Sequence, residues 1–183
     1  SFMKAAQVGA TEAGNNWIGF VIHHAPGPML AVLPTVEMAK RTSRGRIDPL
    51  IEDSPALKER VSPARSRDAG NSMLSKEFPG GILVLTGANS ATGLRSMPAR
   101  YVFLDEVQLV KDWNLACRTL RLEDISLFVT GSNSKLLSKE FTKELSGRYV
   151  AFCIRPFVYK EIAAYAKELG EEAPISEYLI YGG

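Results

Sequence analysis

Two adjacent carboxylates, Asp105 and Glu106, follow the apolar residues Tyr-Val-Phe-Leu at 101–104. An apolar run of this length is typical of a strand that is buried on both faces of a sheet. A dry core would leave two acids unpaired, so we expect them to emerge at the carboxyl end of the strand, where open α/β sheets bind ligands. There the first acid could hold Mg²⁺ and the second could polarise an attacking water. The alternative is a strand that simply ends in a solvated acidic turn.

A second group of residues near the start of the sequence suits phosphate chemistry. Residues 1–8 look like the end of a strand, and a glycine turn and a helical stretch follow. In this setting, backbone N–H groups at the helix start can cradle phosphate oxygens. The Walker A pattern G-x-x-x-x-G-K-[ST] is matched at Gly9 and Thr11. The match is degenerate, because Lys4 stands at the first glycine position and Ala10 at the lysine position.

Taken together, the two groups predict an ATP and Mg²⁺ site in which 101–106 is a Walker B motif. Thr11 and Asp105 would hold Mg²⁺, and Glu106 would orient water for in-line attack. Asn133 follows the next strand and is a candidate sensor of the γ-phosphate, although it could equally be an ordinary helix cap. The residues predicted to contact the nucleotide are Lys4, Gln7, Val8, Gly9, Ala10, Thr11 and Glu12.

The elements that must position these residues alternate between strands and helices. This alternation predicts a parallel, doubly wound α/β sheet, and together with the two motifs it indicates a three-layer P-loop NTPase with a mainly parallel central sheet flanked by helices. Two apolar strands, at 29–33 and 82–86, lie between the phosphate loop and Walker B. A helix is predicted over 107–122, with core contacts from Trp113, Leu115, Ala116 and Leu120. The predicted pattern ends with a strand at 125–130, a helix at 135–145, a strand at 149–154 and a helix at 158–169.

Composition sets wide bounds on function. The 183 residues are 45% hydrophobic with a mean hydropathy of −0.04, and no apolar run approaches a membrane span. The net charge of +2 is too small to indicate a nucleic-acid-binding protein. The basic segment 40–68, with eight Lys/Arg against five acids, could touch phosphates or form a solvated helix face. Cys117 and Cys153 have no metal or redox spacing, so we expect buried free thiols in a reducing cytoplasm.

The first part of the chain resembles a known family. Residues 1–106 resemble the ATPase domain of large terminase subunits of tailed phages, in the lambda-like family. The matching stretches are KAAQVGATEAGNNWIGFVI, GPMLAVLPTVEMAKR, ARSRDAGNS, FPGGILVLTGANSATGLRS and RYVFLDEV. The resemblance implies ATP-driven packaging of double-stranded DNA, with other terminase and portal components as partners, in the host cytoplasm if the protein is phage-encoded. Many members of the family carry lysine where this chain has Ala10. Others use a displaced lysine at the position of Lys4, which makes Lys4 the candidate substitute in catalysis.

The second part resembles a different family. Residues 103–183 are similar to AAA-type ATPases of bacteria and archaea, through FLDEVQLVKDW, LFVTGSNSKLLSKE, LSGRYVAFCIRPFVYKEI and EYLIYGG. This resemblance implies a homo-oligomer in which Arg148 contacts a neighbour's nucleotide, although a surface arginine in a turn is the simpler interpretation. The alternative functions are therefore an AAA-type ATPase of unknown client and a fused nucleotide-binding domain with little catalytic activity.

These two resemblances meet at the Walker B strand. We hypothesise that the chain is a fusion, natural, erroneous or engineered, joined at a strand that both families share. Both parents would contribute to a phosphate-loop sheet, so we expect residues 1–183 to form a single P-loop NTPase-like domain. The terminase-like part, 1–106, would supply Walker A and Walker B, and the AAA-like part, 107–183, the sensor strand and the last strand.

Overall fold

The centre of the molecule is a sheet in which seven strands are described: β1 (Phe2–Lys4), β2 (Met29–Leu33), β3 (Ser75–Phe78), β4 (Gly81–Gly87), β5 (Tyr101–Leu104), β6 (Ser126–Gly131) and β7 (Phe152–Ile154). The computed structural model describes residues 2–4, 10–61, 72–89, 98–131, 150, 152–154, 158–171 and 174–176. The strand order is β3-β4-β2-β5-β6-β1-β7, and among the described strands only the β3–β4 pair is antiparallel. The predicted mainly parallel α/β sheet is therefore confirmed.

Helices lie on both faces of the sheet. They are α1 (Ala10–His24), α2 (Val36–Thr42), α3 (Asp48–Asp53), α4 (Pro55–Lys58), α5 (Trp113–Leu122) and α6 (Tyr159–Leu169), with a π-helical turn at Ser43–Ile47 and a 3₁₀ turn at Val107–Leu109. Buried residues of α1 to α4 pack against one face of β2, β4 and β5. Cys117 of α5 and Val107 pack against the other face. The three-layer arrangement is confirmed. None of the described helices is both long and apolar enough to span a membrane.

Strand β5 is buried on both faces, as its continuous apolar sequence predicted. Side chains alternate across a strand, so Tyr101 and Phe103 join the core beneath α1 while Val102 and Leu104 join the core beneath α5. All four residues are buried. Because β5 is central and its backbone pairs with β2 and β6, its carboxyl end is held at a fixed place on the sheet edge.

The helix predicted over 107–122 is wrong in its first part. A 3₁₀ turn occupies Val107–Leu109, and α5 begins only at Trp113, after Asp112 adopts a left-handed conformation at φ 55°. The late start changes which residues face the sheet. Cys117 is fully buried, whereas Leu115 is 60% exposed and Ala116 is also exposed. Trp113 and Leu120 do pack against the core, as expected.

Two further differences concern the edges of the sheet. The antiparallel edge strand β3 was not predicted, because its sequence Ser-Lys-Glu-Phe lacks an apolar pattern. Its Lys76 is nevertheless buried, since its Nζ lies 2.8 Å from Asp48 Oδ1 and donates to Ser72 O at 3.2 Å. The strand predicted over 149–154 is described as β7 at 152–154, and the predicted helix over 135–145 lies outside the described residues.

Candidate functional site

A cluster of three oxygen-bearing side chains lies at the carboxyl edge of the sheet. Thr11 stands in the first turn of α1, Asp105 follows β5 and Thr130 lies near the end of β6. The hydroxyl of Thr11 donates to Oδ1 of Asp105 at 3.1 Å, and the hydroxyl of Thr130 donates to the same oxygen. Asp105 is 5% exposed and Thr130 is fully buried. A carboxylate is thus held at the sheet edge by two hydroxyl donors from different elements.

The pairing of the parallel strands explains why these residues meet. Leu104 of β5 is paired with Val129 of β6, so the next residues, Asp105 and Thr130, lie side by side. The N–H of Asp105 donates to Val32 O at 3.0 Å and continues the β5–β2 ladder by one residue. On its other side β6 is paired with β1, the strand that leads into the predicted glycine turn. The start of α1 and the end of β5 therefore converge on β6.

Glu106, the second predicted acid, has an unusual backbone. Its φ of 50° and ψ of 43° are left-handed, which is uncommon for a residue other than glycine. This conformation turns the chain out of β5 into the 3₁₀ turn, in which Leu109 N–H donates to Glu106 O at 2.9 Å. The Nε2 amide of Gln108 donates to Oε2 of Glu106. Glu106 is half-buried, and its carboxylate has an amide partner.

Glu12, predicted as a nucleotide contact, has protein partners of its own. Its Oε1 lies 2.9 Å from Nη1 of Arg46, and its Oε2 accepts from Nδ2 of Asn15 at 3.3 Å. Asn15 is 1% exposed, and Arg46 belongs to the basic segment 40–68. An ion pair therefore joins that segment to the first turn of α1, directly after Thr11. A direct contact between Glu12 and the nucleotide stays a prediction.

The remaining predicted site residues are only partly described. Lys4 ends β1, and Ala10 is the first residue of α1. Gln7, Val8, Gly9, Asn133 and Arg148 lie outside the described residues. The roles assigned to them stay predictions.

Arg46 was predicted only as part of the basic segment 40–68, and sequence reasoning missed two residues at this edge: Thr130 and Gln108. Each makes a contact that depends on strand register or on a turn, which a single sequence does not reveal. One signal was available for Thr130. It lies at the end of the strand expected beside Walker B, where a hydroxyl next to an acid suggests a hydrogen bond.

The donor set of the cluster fits Mg²⁺. The candidate ligands are the Thr11 hydroxyl and the Asp105 carboxylate, both of them oxygen donors, which Mg²⁺ prefers over nitrogen or sulfur. Mg²⁺ in such sites is usually held by one or two protein groups together with substrate phosphates and water. Residues 11 and 105 could therefore hold the metal, and Glu106 lies one residue beyond them in the chain.

Comparison with protein families gives two matches that overlap. The family described as phage terminase large subunit gpA, ATPase domain, matches residues 1–115. The family described as AAA domain matches residues 72–163. The overlap, 72–115, contains β3, β4, β5 and both carboxylates of the candidate site.

Two relatives share shorter stretches with this chain. An uncharacterized protein of Haemophilus influenzae is 38% identical over 89 residues, which is 45% of this chain and 22% of the relative. An uncharacterized protein of Methanocaldococcus jannaschii is 41% identical over 64 residues, which is 35% of this chain and 14% of the relative. The chain thus spans about a fifth or less of the length of these relatives.

Solved structures show the same fold at low identity. The large terminase ATPase domain of Thermus phage P74-26 aligns with 98% of this chain and 82% of its own, at 15% identity and a TM-score of 0.55. The large terminase of another thermophilic bacteriophage aligns with 91% of this chain and 44% of its own, at 12% identity and a TM-score of 0.59. That second terminase in complex with ATP-gamma-S aligns with 91% of this chain and 43% of its own, at 16% identity and a TM-score of 0.54.

Proposed function

We propose a function from one premise: the chain belongs to the family of phage terminase large subunit gpA ATPase domains through residues 1–115, and to the AAA domain family through residues 72–163. On this basis the chain binds ATP together with Mg²⁺ and hydrolyses it as the ATPase part of a DNA-packaging motor. The single observation that supports the site best is the contact between Thr11 and Asp105 at 3.1 Å. These two residues are 94 positions apart in the chain and come from the two motifs that a P-loop ATPase must bring together.

The proposed mechanism assigns one task to each residue of the edge. Thr11 and Asp105 would hold Mg²⁺, and Thr130 orients Asp105 through its hydroxyl. When bound, the metal would neutralise charge on the phosphate oxygens. Glu106 accepts a proton from water as the water oxygen bonds to the γ-phosphorus and the bond to the ADP oxygen breaks, which releases ADP and phosphate. The backbone of the turn before α1 would cradle the phosphates. Asn133, which follows β6 in the sequence, senses the γ-phosphate. The protein thus acts by positioning and by charge stabilisation.

The alanine at position 10 limits the expected rate. A lysine there would place a positive charge on the β- and γ-phosphates, and its loss is expected to cost on the order of 10²-fold in rate or more. Lys4, which ends β1 just before the phosphate loop, is the proposed substitute. We therefore expect slow hydrolysis that falls further in Lys4→Ala, whereas Lys167→Ala, a control on the exposed surface of α6, should leave the rate unchanged.

The experiment that tests this proposal is a hydrolysis assay with γ-labelled ATP. The wild-type chain and Glu106→Gln are compared at matched protein and Mg²⁺ concentrations. Slow turnover that Glu106→Gln abolishes would support the proposal. Fast turnover, or turnover that survives Glu106→Gln, would contradict the assigned roles.

The partners follow from the family and stay part of the proposal. The motor function requires double-stranded DNA, portal and other terminase components, and a homo-oligomer in the cytoplasm of the host cell. Phosphate contacts from the basic segment 40–68 would make DNA-stimulated hydrolysis fall steeply with salt. A salt-independent stimulation, or none, would count against DNA as the partner.

A second candidate is an AAA-type ATPase of unknown client, favoured by the AAA family match over 72–163. For this function, nucleotide-dependent oligomerisation should be sensitive to Arg148→Ala. If ATP binds without turnover, a fused domain with little activity is the better description. Comparing the DNA around codon 106 with its genomic source tests the fusion hypothesis, because one continuous natural reading frame would exclude an artificial joint.

We further propose that both parts of the chain form one domain. Strand β1, from the terminase-like part, is paired on both sides with strands of the AAA-like part, β6 and β7. Because these strands interleave, neither part can keep its sheet pairing when separated from the other. Unfolding followed by circular dichroism and by tryptophan fluorescence should give coincident single transitions. Two separate transitions would contradict this proposal.

A further inference from the structure

The reaction proposed above needs a carboxylate held in one place at the rim of the sheet, and a neighbouring residue supplies a means of holding it. We propose that Gln108 is a positioning residue for Glu106: its side-chain amide fixes the carboxylate that acts on the attacking water. This inference rests on the proposed ATPase function, because it concerns the orientation of the base in that reaction.

The backbone brings the two side chains together. Glu106 adopts the left-handed conformation and Val107–Leu109 form a 3₁₀ turn. The turn is closed by two N–H donors, from Leu109 to Glu106 O and from Val110 to Val107 O, both at 2.9 Å. Val107 is 1% exposed and packs in the core beneath α5, so it anchors the turn to the sheet. Gln108 is thereby placed over Glu106 by a turn with little freedom to move.

A left-handed glutamate has an energetic cost that local packing must offset. Such a conformation is unfavourable in a residue other than glycine and occurs most often where a site constrains the backbone. Here the left-handed residue is Glu106, which directly follows the proposed metal ligand Asp105. The same conformation that turns the chain out of β5 also brings the Glu106 side chain within reach of the Gln108 amide.

Chemistry favours an amide at this position. Nε2 of Gln108 donates to Oε2 of Glu106, and a hydrogen bond to an ionised acceptor is stronger than one between neutral groups. A carboxylate accepts two or more such bonds, so Glu106 can accept from Gln108 and from a water at the same time. The amide is also uncharged, and it therefore adds a donor without placing another charge beside Asp105.

The cost of losing this partner follows from the geometry that catalysis requires. A misplacement of about 1 Å can reduce a rate about 10²-fold, and a positioned base contributes about 10²–10⁴-fold. Gln108→Leu keeps most of the side-chain volume and removes the donor, so we expect kcat to fall about 10-fold. KM for Mg·ATP should change less than about twofold, because Gln108 contacts the base, whose proposed role is to act on water and not to bind the nucleotide.

The experiment compares four chains by steady-state hydrolysis of γ-labelled ATP over a range of Mg·ATP concentrations, which gives kcat and KM for each chain. They are the wild type, Gln108→Leu, Gln108→Glu and the control Leu109→Ala, which alters an exposed residue of the same turn. Gln108→Glu keeps the length of the side chain but sets a second carboxylate against Glu106, so it should be at least as slow as Gln108→Leu. Leu109→Ala should retain the wild-type kcat. Far-ultraviolet circular dichroism identifies any variant that does not fold. If one Gln108 variant does not fold, the other Gln108 variant tests the inference.

A kcat in both Gln108 variants equal to that of the wild type would overturn the inference. Parallel changes of kcat and KM in Gln108→Leu and Leu109→Ala would also overturn it, because they would show a general disturbance of the turn. Wild-type turnover that Glu106→Gln abolishes keeps the proposed function standing in both cases. Absence of Glu106-dependent turnover in the wild type would refute the proposed function and this inference with it.

Discussion

Thr130→Val isolates the hydroxyl that holds the Asp105 carboxylate. Valine has nearly the shape of threonine, so the substitution removes one donor from a fully buried position and leaves the packing almost intact. The lost bond joins a hydroxyl to a carboxylate that is 5% exposed. Hydrogen bonds to charged groups contribute about 1.5–3 kcal/mol, so we expect the free energy of unfolding to fall by about 2 kcal/mol. For a chain of this length, that corresponds to a decrease in Tm of about 4–8 °C.

The functional effect of the same substitution should appear in the Mg²⁺ requirement. Thr130 does not have to touch the metal to affect it, because it orients a proposed ligand. Loss of such an orienting partner typically weakens metal affinity about 10–100-fold. A titration of nucleotide binding with Mg²⁺ at constant ATP should therefore shift its midpoint upward by at least about 10-fold in Thr130→Val.

Two controls separate this effect from the general cost of the substitution. Thr119→Val makes the same change on the exposed surface of α5, where the hydroxyl donates to Leu115 O of its own helix. It should leave both Tm and the Mg²⁺ midpoint close to the wild type. A double-mutant cycle of Thr130→Val with Asp105→Asn should give a clear coupling energy. The reasoning is refuted if Thr130→Val behaves like Thr119→Val, or if the cycle shows no coupling.

Three further predictions concern packing and burial. Gly14→Ala should destabilise the fold by about 1–3 kcal/mol, because the added Cβ would lie 2.3 Å from the Phe103 ring. Gly45→Ala, whose added Cβ meets nothing within 4 Å, should be neutral or slightly stabilising. Thermal unfolding measures both effects. Burial raises the pKa of the Cys117 thiol from 9.0 to about 12, so the thiol should resist alkylation at pH 8 until the protein unfolds, as peptide mass mapping would show. The free energy of unfolding should decline as pH rises from about 9 toward 12, because the thiol of the unfolded chain ionises first. In urea unfolding, Lys76→Met should lower the free energy of unfolding by about 2 kcal/mol, because it leaves the partly buried Asp48 without its ion-pair partner. Lys40→Ala breaks an exposed ion pair with Glu37 and should lower it by less than about 0.5 kcal/mol. Equal effects would contradict the burial argument.

The fold was largely predictable from sequence where a local pattern determines the structure. The run at 101–104 predicted a strand buried on both faces, because only such a strand can be apolar at every position. Threonine is a preferred helix N-cap residue, and the hydroxyl of Thr35, which caps α2, accepts from Met38 N–H at 3.2 Å. The bounds of β2 were predicted at 29–33, since Pro34 ends the apolar run.

Other features depended on contacts that are distant in sequence. Strand β3 is stabilised by pairing with β4 and by the ion pair of Lys76 with Asp48. Neither contact can be predicted from the sequence of the strand itself. The contact of Thr130 with Asp105 depends on the register between β5 and β6. In α5, a left-handed Asp112 delayed the start of the helix, so the buried face contains Cys117 and not Leu115. Strand register and left-handed turns arise from the assembled sheet, and a single sequence does not specify them.

The central claim is that Thr11 and Asp105 form part of a Mg·ATP site, and isothermal titration calorimetry tests it most directly. ATP is titrated into the wild type with and without Mg²⁺, and into Asp105→Asn with Mg²⁺. We predict saturable binding of one ATP per chain that requires Mg²⁺ and weakens at least about 10-fold in Asp105→Asn. An absence of binding heat at any ATP concentration, or binding that is equally tight in Asp105→Asn and without Mg²⁺, would contradict the claim.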